Sequence, residues 1–341
     1  MRKPIVTASM RKPIVIALTA LALLGGCVAG EDEAGSPAAG AESVDLRLDY
    51  AYWNPESLVL REQKWLENDL AAKGVSVSWL LSAGSNKANE NLRAKAISIG
   101  STAGAAAFVA RANGSPIKTV AVFSQPEWAA VVVAKGSPVT SVAQLKGRKI
   151  AATKGTDPYF FLLQALDQAG LSPSDVSVVN LQHADGKTAL ERGDVDAWAG
   201  LDPHMAQTQL DAGSKLIYRN VAFNTFGVLN VREDFIAAHP DLVQAVVNAY
   251  ERARKWIADH PDAAVDLLAR ESKVSTEVAR VVLTERTKLD IDPVPGAVQR
   301  QVFERVLPIL VADGNVRDQQ EAQAALDSLF EPRFAEARTA P

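Results

Sequence analysis

Cysteine is almost missing from this chain. Cys27 is the single one in 341 residues, which excludes an intrachain disulfide, a paired-thiolate metal site and a Cys-His-Cys cluster. Histidine is nearly as scarce: His183, His204, His239 and His260 are scattered, and the last two each precede proline in a helix-breaking turn, where a structural role is expected. No Gly-x-Ser-x-Gly, P-loop or His-Glu-x-x-His segment occurs, so the sequence signatures of those catalytic sites are absent. Asp194 and Asp196 alternate onto one face of a strand beside a glycine turn, a solvated pair rather than catalytic carboxylates. Basic residues (36) do not outnumber acidic ones (40), and the net charge of -4 offers no footprint for nucleic acid. Downstream of Cys27 no apolar run approaches the roughly 20 residues that span a bilayer.

What is present begins with Arg11 and Lys12 ahead of an apolar stretch from Ile14 to Leu24, closing on Leu24-Gly25-Gly26-Cys27. That is the layout of a cleaved signal peptide over residues 1–26. The Leu-Gly-Gly-Cys segment resembles the bacterial lipobox, which implies that Cys27 becomes a lipidated N-terminus and the membrane anchor. Met1–Val6 is repeated almost at once as Met10–Val15, so translation is expected to start at either methionine. Residues 27–43 are poor in bulky apolar side chains and read as a disordered tether, because they bury too little area to offset chain entropy.

From Val44 onward, short β-rich runs alternate with helical stretches, the pattern of βαβ units and a largely parallel sheet. Val44–Tyr50 reads as the first strand, and Asn54-Pro55 opens a helix to about Ala72, stopped by Lys73-Gly74. The βα series pauses near Ser124–Trp128, restarts, and returns at Thr225–Val231, after which the chain is helical with breaks at Pro240, Pro261 and Pro293. This predicts an α/β protein of two lobes, 44–124 plus 225–335 and 128–221. Two hinge segments join them, near 124–128 and 221–225, and the C-terminal helices pack on the first lobe.

In open α/β sheets ligands bind outside the carboxyl ends of strands, where loops enter helices. Three such turns stand out: Ser82-Gly84-Ser85, Gly100-Ser101-Thr102 and Gly155-Thr156-Asp157, whose amides and hydroxyls either cap their helices or converge on an anion. Aromatic residues stand nearby: Trp53 after the first strand, Trp128 at the first crossing, Tyr159 in a helix entry and Trp198 on a later strand. Trp65, Trp79 and Trp256 sit at periodic positions and are expected in the core. Asp202 follows a strand and precedes proline, where it positions a ligand, orients a donor or caps the next helix.

Several segments in order, Ile99-Gly100-Ser101-Thr102, Gly114-Ser115-Pro116-Ile117-Lys118, Leu145–Ala151, Lys154-Gly155-Thr156, Gly193–Trp198 and Asp202-Pro203, resemble the nitrate, sulfonate and taurine group of type II periplasmic binding proteins. The aliphatic sulfonate branch is the most similar. The resemblance runs from about residue 44 to 310 and implies a monomeric, hinged two-lobe trap that hands its ligand to the permease subunits of an ABC importer, with no cofactor, metal or catalysis. It implies a sulfonate head held by Ser101, Thr102, Thr156 and backbone amides, with Trp198 and Asp202 lining the far lobe. Ser98 stands where the group usually carries Asp, and Asp157 stands where it has small polar residues. Asp157 therefore either points away as a cap or signals a ligand bearing a cation or hydroxyls. Taurine, nitrate and other small polar solutes are alternatives, as is an enzyme like the thiamine-pyrimidine synthases, which share the fold but use a cysteine-rich segment and an active-site histidine. A sensory role is a third.

Overall fold

The computed structural model describes residues 44–339. The expected signal peptide, Cys27 and the tether lie outside the described residues.

Two sheets organise the chain. The strands are β1 Val44–Tyr50, β2 Val75–Leu81, β3 Ile99–Ala103, β4 Ile117–Pro126, β5 Ala129–Val133, β6 Lys149–Ala152, β7 Ser177–Asn180, β8 Ala197–Leu201, β9 Lys215–Tyr218, β10 Gly227–Arg232 and β11 Thr287–Lys288. The first sheet runs β11-β4-β10-β3-β1-β2 and the second β7-β6-β8-β5-β9. β1 pairs parallel with β2 and β3, while β10 returns antiparallel between β3 and β4. In the second sheet β6 is parallel to β7 and β8, and β5 is antiparallel to β8 and β9. Interior strands are buried along their whole length, as in β3, β5 and β8, because helices cover both faces of such sheets.

The expected helix from Pro55 to Ala72 is two helices, Pro55–Gln63 and Trp65–Ala71, separated by Lys64 at φ 53°. The Lys64 N–H still bonds Leu60 O at 3.0 Å, closing the first helix with a left-handed cap, and the second helix buries Leu66 and Leu70. Trp65, Trp79 and Trp256 are half-buried rather than core. Each has work at the boundary with solvent: the Arg252 guanidinium lies 4.0 Å over the Trp65 ring, Trp79 donates to Glu67 at 2.8 Å, and Trp256 stacks on His260. An indole with its edge wet and its face packed loses less than one buried without a partner.

The helices Pro240–Asp259 and Pro261–Ser272 share a core with β1, β3 and β10. The Ala297–Ala312 helix reaches both sheets. Its Phe303 stacks on Phe108 at 6.0 Å, and its Leu307 and Leu310 belong to one continuous core with Phe160 and Leu163 of the Asp157–Gln168 helix.

The two crossings between sheets are laced together. Arg219 forks onto Glu127 at 2.9 and 2.7 Å, a bidentate pair. Ala129 N donates to Asn224 Oδ1 at 3.0 Å, and Glu127 N to Arg286 O at 2.7 Å.

Candidate functional site: the cleft between the sheets

The carboxyl ends of β1, β2 and β3 face those of β6, β7 and β8 across a cleft. One hollow is lined by Trp53, Ser85, Ala103, Trp128, Thr156, Asp157, His183 and Leu201. An adjoining one, of about 180 Å³, shares Trp53, His183 and Leu201 with it and adds Tyr52, Gln182, Asp202 and His204. The opposing walls touch. A Cβ on Gly84, from the first wall, would lie 3.1 Å from His183 Nε2 in the second, and one on Gly155 would lie 3.6 Å from Asn86. Gly84 is thus a close approach, where even a Cβ would press on His183 and on Asn86 of its own wall.

Helices beginning at Ser85, Asp157, His183 and His204 all start on this cleft. The first N–H groups of a helix have no intrahelical acceptor, and the macrodipole places partial positive charge there. Neither hollow is lined by Lys or Arg, while Asp157 lines the first and Asp202 the second, so donors for an anion come from backbone and neutral side chains. The Ser85 hydroxyl accepts from Ala103 N at 2.9 Å, leaving its own hydrogen for the cleft. Trp53 is 7 % exposed and its indole Nε1 has no partner. Buried polar groups are nearly always bonded, so an orphan N–H on a residue that lines both hollows is a place for a ligand acceptor.

His183 is the residue that reading the sequence missed. It is buried, its Nδ1 lies 3.1 Å from Thr153 Oγ1, and its Nε2 has no partner. Burial lowers its pKa to about 3. The available signal was position: β7 ends at Asn180 and the helix opens at His183, where a strand's carboxyl end leads into a helix.

The structure gathers Trp53, Gly84, Trp128, Thr156, Asp157 and Asp202 at the cleft but commits several to internal bonds. Asp157 turns toward the crossings between the sheets: it accepts Trp128 Nε1 at 2.8 Å, Thr225 N at 2.8 Å and Thr225 Oγ1 at 2.5 Å. Burial raises its carboxyl to about 6, against the pull of Thr225 and Trp128, so it is mostly ionised at neutral pH. Trp128 is likewise spent on this bond. The Thr156 hydroxyl gives its hydrogen to Thr153 O at 2.6 Å, so only its lone pairs and its amide remain for a ligand. Asp202 accepts Ala206 N at 2.9 Å and Arg286 Nη1 at 3.1 Å, a buried pair across the lobes. It caps the next helix and ties it to the segment before β11. Burial pushes its carboxyl up to about 6, with Arg286 opposing.

Other expected contacts are displaced. Ser101 donates twice to Asp49 Oδ1, from N at 2.8 Å and Oγ at 3.1 Å, and Thr102 Oγ1 accepts from Asn230 at 2.8 Å. Both are fully buried on β3, a central strand whose hydroxyls must bond internally. Ser82 is buried beside Asp49. Tyr159 donates to Asp313 at 2.6 Å, tying two helices together. Trp198 lies wholly inside the second lobe with Met205 and Val132, because β8 turns it away from the cleft-lining Leu201.

The sequence matches the NMT1/THI5-like family over residues 70–264, more than half of the chain. It belongs to that family. Among relatives of the family member described here are a putative aliphatic sulfonates-binding protein of Escherichia coli, 29% identical over 260 residues, covering 74% of this chain and 79% of the relative. A second, of the same description, comes from Bacillus subtilis, 27% identical and covering 82% of this chain and 84% of the relative. The alkanesulfonate-binding protein SsuA of Xanthomonas axonopodis, crystallised with MOPS, superposes with a TM-score of 0.74 at 23% identity, over 84% of this chain and 99% of that one. The fold is therefore that of the periplasmic binding proteins.

Proposed function

We propose that this chain is the extracytoplasmic solute-binding component of an ABC importer, is not an enzyme, and takes an aliphatic sulfonate-like small molecule between its lobes. The observation that carries this reading is the set of helix starts around a cleft without lysine or arginine, together with the unpaired N–H of Trp53 and the free O–H of Ser85. Fixed dipoles and neutral donors suit a weakly basic oxyanion, and they release it more readily than a desolvated ion pair would. The named relatives give the oxyanion its class. Fold alone does not choose a ligand, and taurine, nitrate and other small polar solutes remain the second reading. Lipidation at Cys27, permease subunits as partners, and a monomer held at the outer face of the cell membrane complete the proposal.

The test is calorimetry on the chain from Glu42 onward, titrated with alkanesulfonates, taurine, nitrate and sulfate. One-site binding of a sulfonate, weakened about tenfold in Trp53→Phe through loss of one hydrogen bond to a charged group, supports the proposal. Binding of nitrate or sulfate alone would replace the sulfonate, and silence across the panel would reject both readings.

A further inference from the structure

The cleft contains an acceptor as well as donors, and the tautomer of His183 shows which atom it is. Thr153 Oγ1 donates to Leu181 O at 2.6 Å. A hydroxyl has one hydrogen, so toward His183 Nδ1, 3.1 Å away, Thr153 can only accept. Nδ1 therefore carries the ring proton and Nε2 is a bare lone pair. That lone pair has no partner, and the residue is 2 % exposed and lines both hollows. The titratable groups around it give it no proton: Asp157 is held by Thr225 and Trp128, Asp202 by Arg286 and Ala206, and His204 is itself kept neutral by burial. A sulfonate oxygen against Nε2 would set lone pair against lone pair.

We infer that the solute presents an N–H or O–H donor to His183 Nε2 while its oxyanion lies against the helix ends, so that the cleft selects amino- or hydroxy-substituted alkanesulfonates over unsubstituted ones. The inference rests on the sulfonate reading above and narrows it to substituted sulfonates, of which taurine, named above in the second reading, is one. Trp53 Nε1–H and His183 Nε2, both unpaired on one cleft, ask for a ligand with an acceptor at one point and a donor at another.

The experiment compares ethanesulfonate, taurine and isethionate by calorimetry in Tris and in bis-Tris, two cationic buffers of different ionisation enthalpy. Taurine or isethionate is expected to bind about tenfold tighter or more than ethanesulfonate, since a buried group left unpaired carries a penalty of that order. The enthalpy should not depend on the buffer, and His183→Phe should abolish the preference for taurine or isethionate over ethanesulfonate. Thr153→Val, which frees the ring to place its proton on Nε2, should narrow it. Ethanesulfonate binding as tightly as both others, or taking up a proton as it binds, overturns the inference and leaves the receptor reading intact. Failure of all three to bind overturns both. Should His183→Phe not fold, the ranking on the unaltered protein still decides.

Discussion

Asp157 and Thr225 grip each other where the second sheet's first long helix meets the segment that returns to β10: the carboxylate takes the Thr225 amide on one oxygen and its hydroxyl on the other. Thr225 Oγ1 in turn accepts Ala105 N at 2.8 Å, carrying the contact into a helix of the first lobe. An acid that a ligand anion would avoid is thereby used to fasten the chain's return to the first sheet.

Asp157→Asn keeps the shape and can still accept Trp128 Nε1 and Thr225 N on its carbonyl oxygen, but it loses the charge and turns its NH2 toward the Thr225 hydroxyl. We expect a loss of about 2–4 kcal/mol in urea unfolding, since a buried donor left without its charged acceptor has that order of penalty. Thr225→Val should lose about half as much. An Asp157→Asn protein within 0.5 kcal/mol of the parent, on the scale of ordinary surface substitutions, would remove the carboxylate from this role.

Arg286 and Asp202 form the second fastening, both nearly inaccessible to water. Arg286→Met alone strands a buried carboxylate and should destabilise by about 3–5 kcal/mol. The double variant Arg286→Met, Asp202→Asn should recover much of that. A double variant as unstable as the sum of the singles would mean that the two do not act as a pair.

Gly186 tests packing against propensity. It sits within the His183–Arg192 helix, where alanine is favoured by up to about 1 kcal/mol. A Cβ there would stand 2.6 Å from Trp198 Nε1, and the indole is enclosed. Gly186→Ala should therefore lower stability by about 1–3 kcal/mol in thermal unfolding, with a shift in tryptophan emission. Stabilisation would show that Trp198 has room to move.

The pH profile should fall at both ends. Burial raises Glu56 to about 8, with neither carboxyl oxygen bonded, and Asp49 to about 7. Above the ordinary carboxylate pKa the unfolded chain releases protons that the folded one keeps, so this stability is complete below about pH 4 and is lost as pH rises through 7 to 8. Histidine has the opposite sign. His183 and His204, lowered by burial to about 3 and 4, lose stability as pH falls below their ordinary value of about 6.5. Glu56→Gln should be more stable than the parent at pH 8 by a few kcal/mol, roughly, and equal to it near pH 4. Equal differences at pH 5 and pH 8 in urea unfolding would show that Glu56 does not titrate in this way.

Much of the architecture was legible because it depends on local pattern. The alternation of β-branched runs with amphipathic stretches anticipated the two βα series and the return at Thr225, and the turns at Ser82–Ser85 and Gly155–Asp157 do open onto the cleft. Side-chain commitments were not legible. Ser101 and Thr102 have the composition of an anion loop, yet β3 lies between β10 and β1, so their hydroxyls serve the sheet. Trp198 lies two residues before a cleft residue's neighbour, and a strand's two-residue period does not say which face is the core. Lys64 carries no glycine-like signal, and the break at that position depends on what the second helix packs against.

The sequence by itself determined the fold class, the scarcity of thiol and imidazole chemistry, and the places where loops enter helices, because each follows from residue types and their spacing along one segment. Only the tertiary structure decided that Asp157 and Asp202 are held by partners outside the cleft, that Trp53 and His183 are left unpaired, and that Gly84 lets the walls meet. Those outcomes depend on partners such as Thr225, Arg286 and Thr153. A hydrogen bond between residues 68 or 84 positions apart leaves no trace in the local periodicity of either one.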